Sequence, residues 1–240
     1  MDLQHILTPV IIFVAFFCES IFGMGGGFIS IPLLSILLGP KTAILVVLIF
    51  QFLMGFLIFS TRKYTNWKLM IPMTVTLVIG TVIGTYLLSI FDDEFLRKFL
   101  AITILIFLAK MIFFPKITFG NKPSRFTGFL VGLVGGWFQG ITGNSSPIFV
   151  MYLTNVISVK SVMRATLIYI FFATSVARVI VSFSQNLFTE NILSFALPAI
   201  PFFFLAIFLG HHVHKKLDEK YYRYTLYIIL FFSAVLMLSK

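Results

Sequence analysis

Residues 23–34 read GMGGGFISIPLL, and three consecutive glycines, Gly25 to Gly27, interrupt an otherwise apolar run. Glycine inside a helix costs about 1 kcal/mol relative to alanine. The run covers residues 6–38, and one helix of that size would be about 50 Å long at about 1.5 Å per residue. A bilayer core is only about 30 Å thick. The stretch therefore predicts two helical arms separated by a break, the second arm running from near Phe28 to near Leu38.

The composition is that of a membrane protein. Of the 240 residues, 59% are hydrophobic and 11% are charged, and the mean hydropathy is +1.05, whereas soluble domains carry about 25% charged residues. Helices satisfy their backbone polar groups within lipid, so we predict an all-α polytopic membrane protein. The N-terminal stretch MDLQHILTPV has no Lys or Arg before its apolar run, so we interpret it as mature sequence and not as a signal peptide.

The chain is organised as two homologous halves, which we place at residues 1–120 and 121–240. Short polar joints separate eight apolar runs, at residues 6–38, 42–60, 69–91, 95–114, 126–158, 161–183, 191–213 and 222–239. The last four runs echo the first four, and Gly84 matches Gly210. Internal duplication of this kind is typical of many transporter folds.

A second break is expected in the first run of the second half. The GMGGG stretch corresponds to Gly143-Asn144-Ser145-Ser146-Pro147, within GITGNSSPIFVMYL. Proline is tolerated in the first turn of a helix, so Pro147 predicts where the next arm begins. Irregular backbone at membrane depth survives only when it is buried in protein or lines a wet cavity.

The distribution of Lys and Arg predicts the topology. If every run crosses once, the two faces carry 8 and 9 basic residues; if the first run of each half returns to its own side, they carry 13 and 4. The positive-inside rule favours the second arrangement. Each half is then a re-entrant helical hairpin plus three transmembrane helices, with the halves in inverted orientation and both termini outside the cytoplasm. The net charge of +10 is accordingly explained by cytoplasmic loops and lipid headgroups, with no nucleic-acid partner.

The two breaks are candidate anion sites. A helix that begins inside the membrane points unpaired N–H groups and the positive end of its dipole at the break. Gly25, Gly26 and Gly27 leave room for an anion to approach those donors. At the second break Gly143 is followed by polar side chains, namely Asn144, Ser145 and Ser146. We predict that a small oxyanion binds where the two breaks meet; the alternative is that the glycines simply allow close helix packing.

Polar residues at membrane depth are costly and usually functional. Glu19 lies four residues before Gly23, and we predict that it carries a coupling proton; the alternative is a carboxylate that caps the hairpin or pairs with a base. A shift of 120 residues relates Glu19 to Gln139, which also precedes a break and is a candidate substrate ligand.

Arg178 and Gln51 complete the candidate substrate-binding set. Arg178 would supply a fixed positive charge, with snorkelling to the headgroups as the alternative. Gln51, midway along the run 42–60, would reach a ligand or another helix. Weaker candidates of the same class are Thr142, Thr174 and Ser175.

The sequence gives little indication of an enzyme active site or a metal site. The histidines 211, 212 and 214 stand beside lysines in a loop, which favours a basic cytoplasmic cluster over a zinc site. One cysteine, Cys18, excludes an internal disulfide. Nucleotide-binding and G-x-S-x-G motifs are absent from the sequence, and carboxylates number only 8. We therefore expect no catalysis, no cofactor and no metal.

The sequence resembles the TauE/SafE family of sulfite and organosulfonate exporters, in the toluene-sulfonate-uptake permease superfamily. The likeness covers nearly the whole chain and rests on both break segments and on Asn66-Trp67-Lys68-Leu69. The first family signature is matched at Gly23, Gly25, Gly26, Gly27, Pro32 and Leu34. The second signature usually has a glycine pair where this chain has Ser145-Ser146.

The resemblance implies proton-coupled secondary transport of sulfite, thiosulfate or an organosulfonate across a bacterial cytoplasmic (inner) membrane. An anion channel of the same fold and a transporter of another small organic anion are the alternatives. An intramembrane enzyme would need clustered carboxylates or histidines at membrane depth, where Glu19 stands alone. The anion carried, the direction of transport and assembly as a homo-oligomer are left open.

Overall fold

The computed structural model describes residues 3–22, 25–55, 67–114, 125–157, 159–213 and 219–239. Within these ranges all regular secondary structure is helical, which confirms the all-α prediction. The helices are α1 Leu3–Phe22, α2 Gly26–Leu38, α3 Pro40–Met54, α4 Trp67–Ile90, α5 Asp93–Phe113, α6 Arg125–Thr142, α7 Ser146–Val156, α8 Lys160–Ser184, α9 Glu190–Ala196, α10 Ile200–Val213 and α11 Glu219–Leu238, with a 3₁₀ turn at Leu197–Ala199.

Several of these helices match a bilayer in length and polarity. Among the described residues, four segments are long and apolar enough to cross one: Leu3–Ile21, Met73–Ile90, Ala165–Ser184 and Glu190–Gly210. The predicted run 191–213 is interrupted by the 3₁₀ turn, which contains Pro198, because proline removes a backbone N–H donor. The predicted run 42–60 is helical as far as Met54, and its end lies outside the described residues.

Helices α1 and α2 form an antiparallel pair, the first hairpin. Glu19, near the end of α1, lies against Gly26 at the start of α2. At the other end Gln4 Nε2 donates to the Leu37 carbonyl at 2.8 Å. The predicted break is confirmed, and α2 begins two residues before the expected Phe28. Gly23 and Met24 lie outside the described residues.

Helices α6 and α7 form the second hairpin. Gly135 of α6 lies against the ring of Phe149. Farther from the break, a Cβ on Gly128 would lie 3.0 Å from Tyr152 Oη. These two pairs show that the arms are antiparallel. Pro147 lies in the first turn of α7, as predicted.

The chain divides into two compact units, each with one hairpin. The first unit comprises residues 1–50, 91–115 and 188–240, and the second comprises 51–90 and 116–187. In the first unit α1 packs on α10, and in the second α6 packs on α4. Each hairpin thus packs on a helix from the other predicted half. The repeat boundary at residue 120 stays a prediction.

One glycine contact is the same in both units. In the first unit Gly210 lies against the Phe17 carbonyl, at 3.0 Å from an added Cβ. In the second unit Gly84 lies against the Trp137 carbonyl. A shift of 120 residues takes Phe17 to Trp137, and the two glycines are those matched in the sequence. The inverted orientation of the halves stays a prediction.

Three aromatic side chains lie together in the core of the first unit, next to the first hairpin. Phe16, Phe50 and Phe203 each have 0% exposure. The ring centroids of Phe16 and Phe203 lie 5.0 Å apart in an edge-to-face arrangement, which aromatic pairs prefer. This cluster packs one turn from Glu19 and holds α1 in place.

In the second unit α4 and α6 pack along small residues, which we call the glycine stripe. Its members recur every four residues on each helix and so share one helix face; they are Gly80, Gly84, Gly132, Gly136 and Gly140. A Cβ on any of them would come within 3.0 Å of backbone in the opposite helix. Close approach of backbones through small residues is a standard way to pack helices in lipid.

Cysteine labelling tests the predicted topology. In a C18A background we expect K41C and R97C to react with a membrane-impermeant maleimide from the outside. We expect K160C to react only from the cytoplasmic side, because the positive-inside rule separates these positions. Labelling of K41C and K160C from the same side would rule out the inverted arrangement.

Candidate functional site

The glycines at the first break have two different structural roles. Gly25 precedes α2 with φ 120°, a backbone conformation that side chains disfavour. Its carbonyl accepts the first hydrogen bond of α2, from the N–H of Ile29 at 2.8 Å. Gly26 leaves space, and the Glu19 side chain fills that space, because a Cβ on Gly26 would overlap Glu19 Oε2. Gly27 follows in the first turn and is buried.

Glu19 therefore lies at the N-terminus of α2. The side chain is 7% exposed, and its Oε2 atom has no hydrogen-bond partner among the described residues. The N-terminus of a helix attracts negative charge, so a carboxylate occupies the position that the sequence assigned to an external anion. The geometry agrees with the alternative in which Glu19 caps the hairpin, and it leaves Oε2 able to accept a proton.

The second break turns on Gly143, which has φ 72°. Its carbonyl accepts two hydrogen bonds, from Gln51 Nε2 at 2.8 Å and from Gln139 Nε2 at 3.2 Å. Ser145 Oγ donates to Gln139 Oε1 at 2.8 Å. Four of the predicted residues are thus in one network, which we call the break network. Both ends of the Gln139 amide are engaged within it.

Thr142 and Asn144 close the turn beside this network. Thr142 Oγ1 donates to the Asn144 carbonyl at 2.8 Å, and the Asn144 N–H donates back to Thr142 Oγ1 at 3.2 Å. Helix α7 begins at Ser146, whose side chain lies outside the described residues. These local hydrogen bonds connect the end of α6 to the residue that follows Gly143.

Arg178 reaches the break network through Gln51. Its Nη1 donates to Gln51 Oε1 at 2.9 Å, and the side chain is 0% exposed. The Arg178 side chain therefore does not snorkel to the lipid headgroups. Its Nε and Nη2 atoms have no hydrogen-bond partner in the described part of the chain. A buried cation without an anion carries a large desolvation cost.

Sequence reasoning missed Ser182. Its Oγ is buried without a hydrogen-bond partner among the described residues, and it lies one turn after Arg178 on α8. The i, i+4 spacing from Arg178 was the only available signal. The weaker candidates Thr174 and Ser175 instead donate to carbonyls of their own helix, at 2.9 Å and 2.8 Å.

Metal ligation finds no support in the described ranges. No group of three or more His, Cys, Asp or Glu side chains among them could hold a metal ion. His212 Nδ1 lies 2.7 Å from the Phe208 carbonyl. His214 and the following lysines lie outside the described residues. What the described sites offer is a fixed cation, hydrogen-bond donors and one buried carboxylate.

This combination suits an anion and a proton. Curated proteins give no match, and solved structures give none. The family described as sulfite exporter TauE/SafE matches residues 8–237. Membership implies a multi-pass membrane transporter of sulfite or another sulfur compound, with a small anion as substrate. The chain belongs to the sulfite exporter TauE/SafE family.

Proposed function

We propose that the protein is a secondary transporter of a small sulfur oxyanion, namely sulfite, thiosulfate or an organosulfonate, in the cytoplasmic membrane of a bacterium. The observation that carries this proposal is Arg178, a fully buried guanidinium with Nε and Nη2 unpartnered in the described structure. Since no carboxylate of the described residues pairs with Arg178, an anionic substrate would offset the cost of its charge.

The break network supports this assignment. Gln51 links Arg178 to Gly143, so the cation is held beside the point where the second hairpin turns. Helix α7 starts there and adds the positive end of its dipole. We assign Asn144, Ser145 and Ser146 to the edge of the site. Gln139, bonded at both ends, supports the turn.

Glu19 is the proposed proton carrier. A proton taken up on Oε2 makes the carboxyl neutral and removes the negative charge from the N-terminus of α2. The donors of Gly25, Gly26 and Gly27 would then attract an anion. Proton and anion binding favour each other in this scheme, so by linkage the affinity for the anion rises as the pH falls. The prediction that both breaks bind the same anion stays a prediction.

Flux through proteoliposomes separates this function from a channel. The purified chain is reconstituted, and uptake of labelled methanesulfonate is measured with an acidic exterior and no anion gradient. The membrane potential is clamped at zero with equal K⁺ on both sides and valinomycin. A coupled transporter then accumulates the anion above the external concentration, whereas a channel only equilibrates it. Methanesulfonate is chosen because its charge does not change across the pH range, unlike that of sulfite. Failure to accumulate any sulfur anion would reject the proposal, and uptake of carboxylates alone would favour another organic anion.

Replacement of Glu19 by glutamine should flatten the pH dependence. In the wild type, one linked proton changes the affinity for methanesulfonate by up to about tenfold per pH unit. In E19Q the affinity should stay near the acidic wild-type value at every pH, because the amide resembles the neutral carboxyl. The measurement is uptake against substrate concentration at several pH values.

Other titratable side chains provide the controls for that experiment. E94Q removes a carboxylate that pairs with Lys98 at an exposed site, at 2.6 Å. E190Q and H212Q alter titratable groups on α9 and α10, the helices that pack on α1, which carries Glu19. Helix α2 itself has no titratable side chain. All three should keep the wild-type pH profile. An unchanged profile in E19Q would remove Glu19 as the proton carrier.

A further inference from the structure

In the described structure the Arg178 guanidinium is hydrogen-bonded through Nη1, and its Nε–Nη2 edge has no partner. A guanidinium presents five N–H donors in a planar fork. Nη1 is used by Gln51 Oε1, while Nε and Nη2 are unpartnered in the described structure. These two atoms lie on the same edge of the plane, because Nη2 is the terminal nitrogen on the side of the Nε–H bond. Their donors point in parallel.

Gln51 fixes which edge is free. Its amide oxygen accepts from Arg178, and its Nε2 donates to the Gly143 carbonyl at 2.8 Å. A flipped amide would set a donor against the guanidinium and an oxygen against the carbonyl, so the amide has one allowed orientation. Gly143 is itself fixed by the turn at φ 72°. The orientation of the guanidinium plane therefore follows from the second break.

We propose that the free Nε–Nη2 edge of Arg178 binds two oxygens of one oxyanion group, and that Gln51 is the positioning residue for this edge. The inference rests on the proposed function and names the chemical group of the substrate that this edge binds. Two parallel donors match two oxygens on a single atom, as in a sulfonate, sulfite or carboxylate. A spherical or linear anion such as chloride or thiocyanate fills only one donor well.

The preference for a two-oxygen group is the property to measure. Full-length protein in proteoliposomes takes up labelled methanesulfonate, and unlabelled ethanesulfonate or thiocyanate competes. Both competitors carry one charge, so the ratio of their inhibition constants reports geometry more than charge. In the wild type we expect ethanesulfonate to compete about 10-fold or more better than thiocyanate, since one charge-assisted hydrogen bond changes affinity by about 10-fold or more.

Three variants separate geometry from charge. R178K keeps the charge as a point without a fork, so the preference should fall to about threefold or less while some uptake remains. Q51L frees the guanidinium to rotate and should also lower the preference. Q51E places a carboxylate on Nη1 and should reduce uptake of methanesulfonate about 10- to 100-fold, because an internal ion pair replaces the substrate.

R97K is the matched control, since Arg97 lies on α5 in the other compact unit, and it should keep the wild-type preference. Size-exclusion profiles in detergent check that each variant is folded. Wild-type preference retained in both R178K and Q51L would overturn the inference while leaving transport established. Absence of sulfonate or sulfite uptake by the wild type would instead reject the proposed function, and the inference with it.

Discussion

Gly136→Ala should lower the melting temperature of the purified protein by about 2–12 °C. The added Cβ would overlap the Leu77 carbonyl and lie 3.0 Å from the Thr81 amide, both backbone atoms of α4. Backbone atoms within a helix cannot move away by a rotamer change, as a side chain can. Helices α4 and α6 must therefore separate along the glycine stripe. Overpacking of this kind costs about 1–3 kcal/mol, and each kcal/mol shifts the midpoint by about 2–4 °C in a chain of this size.

Gly128→Ala is the matched control on the same helix. Its Cβ would meet Tyr152 Oη at 3.0 Å, the far end of a side chain that can move by a few tenths of an ångström. We expect the melting temperature to fall by about 2 °C or less. The measurement is scanning fluorimetry of the purified protein in detergent. Equal losses in the two variants would show that overlap with the α4 backbone does not set the stability, since helix propensity favours alanine over glycine at both positions.

Gly26→Val should abolish transport while the protein remains folded. A Cβ at this position would overlap Glu19 Oε2 and come within 3.1 Å of the Phe16 ring. The carboxylate is the end of a flexible side chain, so it is displaced from the N-terminus of α2 and the hairpin survives. We expect methanesulfonate uptake to fall by about 100-fold, because the variant would lose both the proposed proton carrier and access to the α2 donors.

The reason for this loss can be separated from general damage to α2. S35A removes a buried hydroxyl of the same helix that lacks a hydrogen-bond partner in the described residues, and it should transport normally. The double variant E19A/G26V relieves the overlap with the carboxylate, so it should recover stability without recovering uptake. Wild-type uptake by G26V would contradict the assigned role of the first break.

The two hairpins use equivalent positions for different chemistry. Glu19 and Gln139 are related by the shift of 120 residues, and each lies one turn before a break. Gln139 is bonded at both ends within the break network, whereas Glu19 keeps Oε2 unpartnered in the described structure. An amide cannot take up a proton at neutral pH, so the titratable position belongs to the first hairpin and the fixed cation to the second unit.

Residue type alone was enough to predict much of the candidate site, because polar groups at membrane depth are costly and usually functional. Glu19, Gln51, Gln139 and Arg178 were all singled out on that ground. Their partners were not predictable. Gln51 and Arg178 are 127 residues apart in the chain, and nothing local indicates that one bonds the other. Ser182 was overlooked, since a serine in an apolar helix usually bonds its own backbone.

Local properties were enough to place the helices and both breaks. The low helix propensity of glycine, the role of proline in a first turn and the length of a bilayer crossing all act within a few residues. Long-range packing set the rest: a carboxylate fills the space that Gly26 leaves, and the glycine stripe joins α4 to α6. Packing also leaves the Nε–Nη2 edge of Arg178 without a hydrogen-bond partner among the described residues. These features depend on which surfaces meet when helices associate, and side-chain directions in three dimensions control that association.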